Sequence, residues 1–288
     1  MYAVKSQISL HGFNEEEGVI IVKAREGESK IREEEIEEVL EERGGEIALI
    51  LMSGVQYYTG QLFPIERITR MAQKKGIIVG WDLAHAVGNV PLKLNEWGVD
   101  FASWCSYKYL NSGPGGIGGA FIHEKHANRK GKRLSGWWGH NFSTRFEMDA
   151  LTFQPIEGAD GFRISNPPVF QLAAHLASLD IFMEAGMENL RKKSKLLTGF
   201  LEYLLRTQLK ERVKILTPME EEERGCQLSL FFEKDVKHLN HFLKEKGIIC
   251  DVRKPNVIRV SPAPLYNSFS DVWKFYINLH HYFSNLTN

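Results

Sequence analysis

The chain has 288 residues, 43% of them hydrophobic and 25% charged, with 36 basic residues balanced by 36 acidic ones. That length suits one large or two small globular domains, and zero net charge gives no electrostatic case for nucleic acid or an anionic membrane. Apolar runs such as Ile47 to Met52 are too short to span a bilayer, no secretion signal opens the chain, and Cys105, Cys226 and Cys250 form no CxxC or His/Cys cluster, so a cytoplasmic protein without a zinc site is expected.

In chain order, Tyr2 to Gly12 reads as the interior of a domain, and Gly18 to Arg25 as a strand whose sheet neighbours must come from elsewhere. From Lys30 to Arg43, Ile31, Ile36, Val39 and Leu40 sit in a glutamate-rich frame, which predicts a surface helix with one buried stripe. Ile47 to Met52 is a buried parallel strand leading to Ser53, and Pro64 to Lys75 is a helix with proline in its first turn. Ile77, Ile78 and Val79 then run into Gly80-Trp81-Asp82, a short strand with an acid at its carboxyl end. Alternating strands and helices predict a right-handed, mostly parallel sheet, whose strand ends are where ligands sit. An aspartate there can hold a pyridine nitrogen protonated, or it can cap a following helix.

Val99 to Cys105 reads as a further strand, and the Gly/Pro-rich run from Ser112 to Gly119 forces turns directly after it. Lys108 is thereby set at a strand's end on a glycine-lined ledge. Burial there favours the neutral amine that Schiff-base chemistry with an aldehyde cofactor needs; the alternative is a solvated surface lysine. Ala120 to His123 is the next strand, followed by a basic loop, Lys125 to Arg133, and by Trp137-Trp138. Adjacent side chains on an extended backbone point oppositely, so one tryptophan lines a site or both belong to core packing. Val169 to Gln208 is mostly helical, with Leu172, Ala173, Leu176, Leu179 and Phe182 as an apolar stripe. Beyond it come strands at 213–216, 227–232, 248–252 and 257–260 and helices at 234–246 and 268–286, with a domain boundary placed near Ala185.

Four stretches carry a resemblance that covers most of the chain: Asp82-Leu83-Ala84-His85-Ala86-Val87-Gly88-Asn89, Trp104-Cys105-Ser106-Tyr107-Lys108-Tyr109-Leu110-Asn111, Arg163-Ile164-Ser165-Asn166-Pro167-Pro168 and Pro264-Leu265-Tyr266-Asn267-Ser268-Phe269. Together they resemble pyridoxal-phosphate enzymes of the aspartate aminotransferase fold, in the branch of the cysteine desulfurases, and within it the kynureninases. The resemblance implies an α/β fold type I protein with helices on both faces of its sheet. Residues 1–185 would be the second half of the large cofactor domain and 186–288 a smaller α+β domain.

It further implies a cytoplasmic homodimer that hydrolyses L-kynurenine or 3-hydroxy-L-kynurenine to anthranilate or 3-hydroxyanthranilate plus L-alanine, using pyridoxal 5'-phosphate. Lys108 would hold the cofactor and move the Cα proton, Asp82 would pair with the ring nitrogen, Ala84 would pack on the ring, and His85 would contact cofactor and substrate. Tyr107 would touch the phosphate and serve as acid/base. Ser53 and Trp137 would contact the cofactor, and Asn166 both cofactor and substrate, although a turn asparagine before prolines explains it equally. Arg259 would grip the substrate α-carboxylate, or be a surface arginine, since Ile258 and Val260 point to the opposite face and do not decide its direction. In the family the phosphate-binding helix N-terminus lies before the position of Met1, so the chain reads as N-terminally truncated. Cofactor binding is then expected to be at least about a hundredfold weaker than in a complete homologue, with poor turnover of kynurenine. A cysteine desulfurase or selenocysteine lyase, or a catalytically impaired remnant, are the rival readings.

Overall fold

The computed structural model describes residues 1–129, 131–149 and 151–285. Its first sheet follows from the alternation read above: β1 (Leu49–Ser53), β2 (Ile78–Asp82), β3 (Phe101–Cys105) and β4 (Gly118–Ile122) lie side by side in that order. The first two pairings are parallel, and β4 returns antiparallel to β3 across the short glycine-rich turn. Helices α1 (Tyr2–Leu10) and α2 (Glu33–Arg43) precede β1, and α3 (Ile65–Gln73) connects β1 to β2. In α3 the buried residues Ile65, Ile68, Thr69 and Ala72 repeat at helical spacing, so one face packs on the sheet, and Trp81 Nε1 donates to Thr69 Oγ1 at 3.0 Å. Ile36 and Leu40 of α2 join the same core as Val79, Trp81, Leu83 and Ala102.

A second sheet, in the order β5 (Lys214–Ile215), β6 (Leu228–Phe231), β8 (Val257–Val260) and β7 (Asp251–Arg253), is wholly antiparallel. It follows α4 (Val169–Ala185) and α5 (Met187–Gln208), which break at Gly186, where φ is +74°. With α6 (Lys237–Glu245) and α7 (Phe269–Asn285) it forms its own core, in which Leu197, Leu201, Leu228, Leu230, Ile258 and Leu279 are fully buried. The expected end of the last helix at Leu286 lies outside the described residues. Among the described residues no helix is long and apolar enough to cross a membrane.

Four expectations are corrected. Residues 18–25 form no strand, because no strand of the first sheet pairs beyond β1 to receive them. Residues 2–10 are helical but bury nothing, so they are not a domain interior. As the sheet edge, β1 is only half-buried, with Leu49 and Leu51 exposed to 47% and 46%. The apolar stripe of α4 stays largely open, with Ser178 its one buried residue, because apolar residues lie all round this helix and no single face is selected.

Candidate active site

Parallel register sets the site. Ser53 pairs with Asp82 and Asp82 with Ser103, so the carboxyl ends of β1 and β2 set a hydroxyl and a carboxylate side by side, level with the middle of β3. Asp82 Oδ1 accepts from the Ala84 backbone N–H at 2.9 Å, which turns the chain sharply after β2 rather than capping a helix. The turn carries Ala84 and His85 onward to Gly88, whose φ is +79°. A Cβ on Gly88 would lie 2.7 Å from the Tyr109 carbonyl oxygen. Glycine at this point therefore lets the Asp82-His85 turn press against the segment that holds Lys108.

That segment is locked in turn. Ser106 Oγ lies 2.5 Å from Ser112 Oγ, Ser112 N–H donates to the Ser106 carbonyl at 3.1 Å, and Asn111 takes a positive φ of 57°. Lys108 is half-buried between them, with Nζ 5.9 Å from the Tyr107 ring centroid. The His85 ring meets Tyr109 edge-on at 5.9 Å, and its Nδ1 is buried without a hydrogen-bond partner. Burial, then the nearby Lys108 cation, push the His85 imidazole down to about 4, so it is neutral near pH 7. Burial likewise raises the Tyr109 phenol, whose oxygen sits 3.3 Å from Ser261 Oγ.

Arg259 enters from the second sheet. Ile258 and Val260 face that sheet's core, which turns Arg259 the other way, into the same crevice. Its Nε and Nη2 each lie 2.5 Å from Asp251 Oδ2, and Nη1 donates to the Tyr57 carbonyl at 2.6 Å. Gln227, Ser229 and Thr217 also donate to the 57–59 turn, so this loop from the first sheet rests on polar side chains of the second. The crevice between them has a volume of about 980 Å³, and Ser53, Asp82, Ala84, His85, Lys108 and Arg259 all line it.

Three expected members do not line it. Tyr107 is half-exposed beside Lys108, its phenol raised by the neighbouring Cys105 thiol. Trp137, 46% exposed, already donates its indole N–H to the Arg145 carbonyl at 2.8 Å. The Trp137-Trp138 backbone is a 3₁₀ turn, not extended, so the two rings pack edge-to-face on each other at 5.5 Å. Asn166 is exposed and, among the described residues, its side chain accepts from Ser165 Oγ alone, at 3.2 Å. Conversely, sequence reading missed Tyr57, Tyr109, Asp251, Arg253 and Ser261. For Asp251 a signal existed, since a short hairpin with an acid and an arginine eight residues apart can set them across from each other.

This arrangement offers an amine, a carboxylate, a neutral imidazole and a guanidinium to one crevice, which is the donor set for a small molecule bearing an aldehyde, a protonated ring nitrogen and a carboxylate-bearing reaction partner. Curated proteins with closely similar sequences include kynureninase of Homo sapiens, 56% identical over 95% of this chain and 60% of that protein, and of Mus musculus, 55% identical over 95% and 61%. Kynureninase of Myxococcus xanthus is 52% identical over 95% of this chain and 64% of its own. A sequence model of the kynureninase C-terminal domain matches residues 190–279. Among solved structures, an apo cysteine desulfurase from Thermococcus onnurineus superposes with a TM-score of 0.74 at 17% identity, covering 89% of this chain and 64% of that one. C-DES, a protein solved with glycine covalently linked to its PLP cofactor, superposes with a TM-score of 0.72 at 19% identity, covering 85% and 63%. The chain spans about three-fifths of the length of the curated relatives it matches. Along nearly its whole length the chain is similar in sequence to the kynureninases, and its architecture is that of the fold type I proteins.

Proposed function

We propose that this chain binds pyridoxal 5'-phosphate in the crevice and hydrolyses L-kynurenine or 3-hydroxy-L-kynurenine to anthranilate or 3-hydroxyanthranilate and L-alanine. The observation that carries the reading is the convergence of Asp82, His85, Lys108 and Arg259 on one crevice in a chain similar in sequence to the kynureninases. The crevice suits the cofactor's ring end: the acceptor-only carboxylate of Asp82 and the unpartnered Nδ1 of His85 are both available to it. When bound, pyridoxal phosphate supplies an electron sink for the carbanion left at Cβ.

This chain's residues do the rest. Lys108 holds the cofactor through its amine and moves the proton at substrate Cα. Asp82 keeps a proton on the ring nitrogen, Ala84 and neutral His85 pack beside the ring, and Ser53 donates a hydroxyl from the end of β1. Arg259 holds the substrate α-carboxylate and so orients Cα over Lys108. Water adds to the substrate carbonyl carbon, and Tyr107, exposed outside the crevice lining, is given no part in that step. The Cβ–Cγ bond breaks, the oxygen from water stays on the anthranilate carboxylate, and Cβ gains a proton to become the alanine methyl.

In this reading residues 1–185 contribute Ser53, Asp82, Ala84, His85 and Lys108 to the crevice, and residues 186–288 contribute Arg259 from its other wall. A homodimer completes the reading. Trp137, Phe142, Phe146, Phe162 and Phe170 expose more aromatic surface than a lone chain needs, and a second copy would give Trp137 and Asn166 a crevice to serve. Two of the three thiols are poor candidates for a desulfurase nucleophile: burial pushes Cys226 and Cys250 up to about 12, far from the thiolate that such chemistry requires. The test is anthranilate release from L-kynurenine by the protein saturated with pyridoxal phosphate. Fluorescent product in step with L-alanine is expected; a cofactor-loaded protein that releases neither contradicts the reading.

A further inference from the structure

We infer that Asp251 is a positioning residue that selects which edge of Arg259 meets the substrate carboxylate. The inference rests on the reading of Arg259 above. A guanidinium has two edges able to grip a carboxylate side-on, one formed by Nε and Nη2 and one by Nη1 and Nη2. Asp251 occupies the first edge through Oδ2, at 2.5 Å from both nitrogens. The Tyr57 carbonyl takes one hydrogen of Nη1. One N–H on Nη1 and one on Nη2 remain beside these contacts for the crevice that Arg259 lines with Lys108.

The backbone enforces this choice. Asp251 and Arg259 are direct partners in the antiparallel register of β7 and β8, so their side chains leave the sheet on the same face at a fixed spacing. Arg253 Nε, two residues along β7, lies 3.3 Å from the same Oδ2, a second cation on that carboxylate. A purely stabilising ion pair is the competing explanation. The Asp251 side chain is 43% exposed against 12% for Arg259, so water reaches and screens the carboxylate's side of the pair. Removing Asp251 should therefore leave the fold intact while freeing the guanidinium to rotate about its last bonds.

The test is equilibrium binding of L-alanine and of ethylamine, the same amine without its carboxylate, to the protein loaded with pyridoxal phosphate, followed by the cofactor's absorbance. In Asp251→Asn and Asp251→Ala, L-alanine affinity should fall about tenfold or more, as expected for one misdirected charge-assisted contact, with ethylamine affinity unchanged. Asp251→Glu should recover part of the loss, and thermal unfolding should match the parent. Equal losses for both ligands would mark a merely structural residue, and tighter L-alanine binding would mark Asp251 as a competitor for the arginine; either overturns the inference, as does a parent protein that binds L-alanine no better than ethylamine. Binding needs no hydrolysis, so a protein that discriminates the two ligands yet releases no anthranilate would overturn the proposed reaction and not this assignment.

Discussion

Two regions expected to build one site behave differently. Ser53, Asp82 and Lys108 sit at or just past the ends of hydrogen-bonded strands and meet in one crevice, whereas Trp137 and Asn166, on the irregular stretch between β4 and α4, do not line it. A strand end is positioned by a whole ladder of backbone hydrogen bonds, so its side chain inherits the sheet's geometry. A side chain on a segment of 3₁₀ turns inherits only local contacts, such as the Trp137 bond to the Arg145 carbonyl.

The largest effect should come from the strand-end group. Lys108→Ala should lower anthranilate release at least about a thousandfold, because it removes both the amine that holds the cofactor and the group that moves the Cα proton. Asp82→Ala should cost at least about a hundredfold in turnover while cofactor attachment survives. Asn166→Ala, from the irregular region, should reduce kcat/KM by no more than about tenfold, and a loss as deep as that of Asp82→Ala would erase the contrast between the regions.

Smaller effects address how the strand ends are held. Gly88→Ala places a methyl 2.7 Å from the Tyr109 carbonyl oxygen at a backbone φ of +79°, so chemical denaturation should show a loss of about 2–4 kcal/mol, with activity falling as the two turns separate. An unchanged midpoint would mean that the turns are not pinned there. Asp100 tests the tie between regions, since its buried carboxylate takes hydrogen bonds from Gln73 and the Val79 N–H on one side and from Lys125 and His126 on the other. Burial alone would raise its pKa, but these donors outweigh burial and hold it at about 2, below the usual 3.8. A carboxylate depressed in the folded state stabilises fully above the unfolded value and loses that contribution as pH falls from about 4 towards 2. The loss should be about 2 kcal/mol across that window and absent in Asp100→Asn, as read by urea midpoints at each pH.

The same contrast explains what was legible beforehand. The order of apolar runs and glycines was enough to set Asp82 and Lys108 on neighbouring strand ends, because parallel pairing needs only strand order and the crossover rule. The direction of Arg259 was not legible: alternation states that it opposes Ile258 and Val260, but which face meets the first sheet depends on how α5 and α7 cover the other. Asp251 escaped notice because its role exists only through the register of β7 against β8. The openness of β1 and α4 was hidden for the reverse reason, since an apolar run reads as buried whether or not a neighbour covers it.

The central claim is that Lys108, delivered by β3 to the glycine-lined turn, is the amine that holds the cofactor. Loading the protein with pyridoxal phosphate, reducing with borohydride and mapping the labelled peptides tests it directly. The account predicts a pyridoxyl group on Lys108 and its disappearance in Lys108→Ala; label on any other lysine, or no label at saturating cofactor, would contradict it.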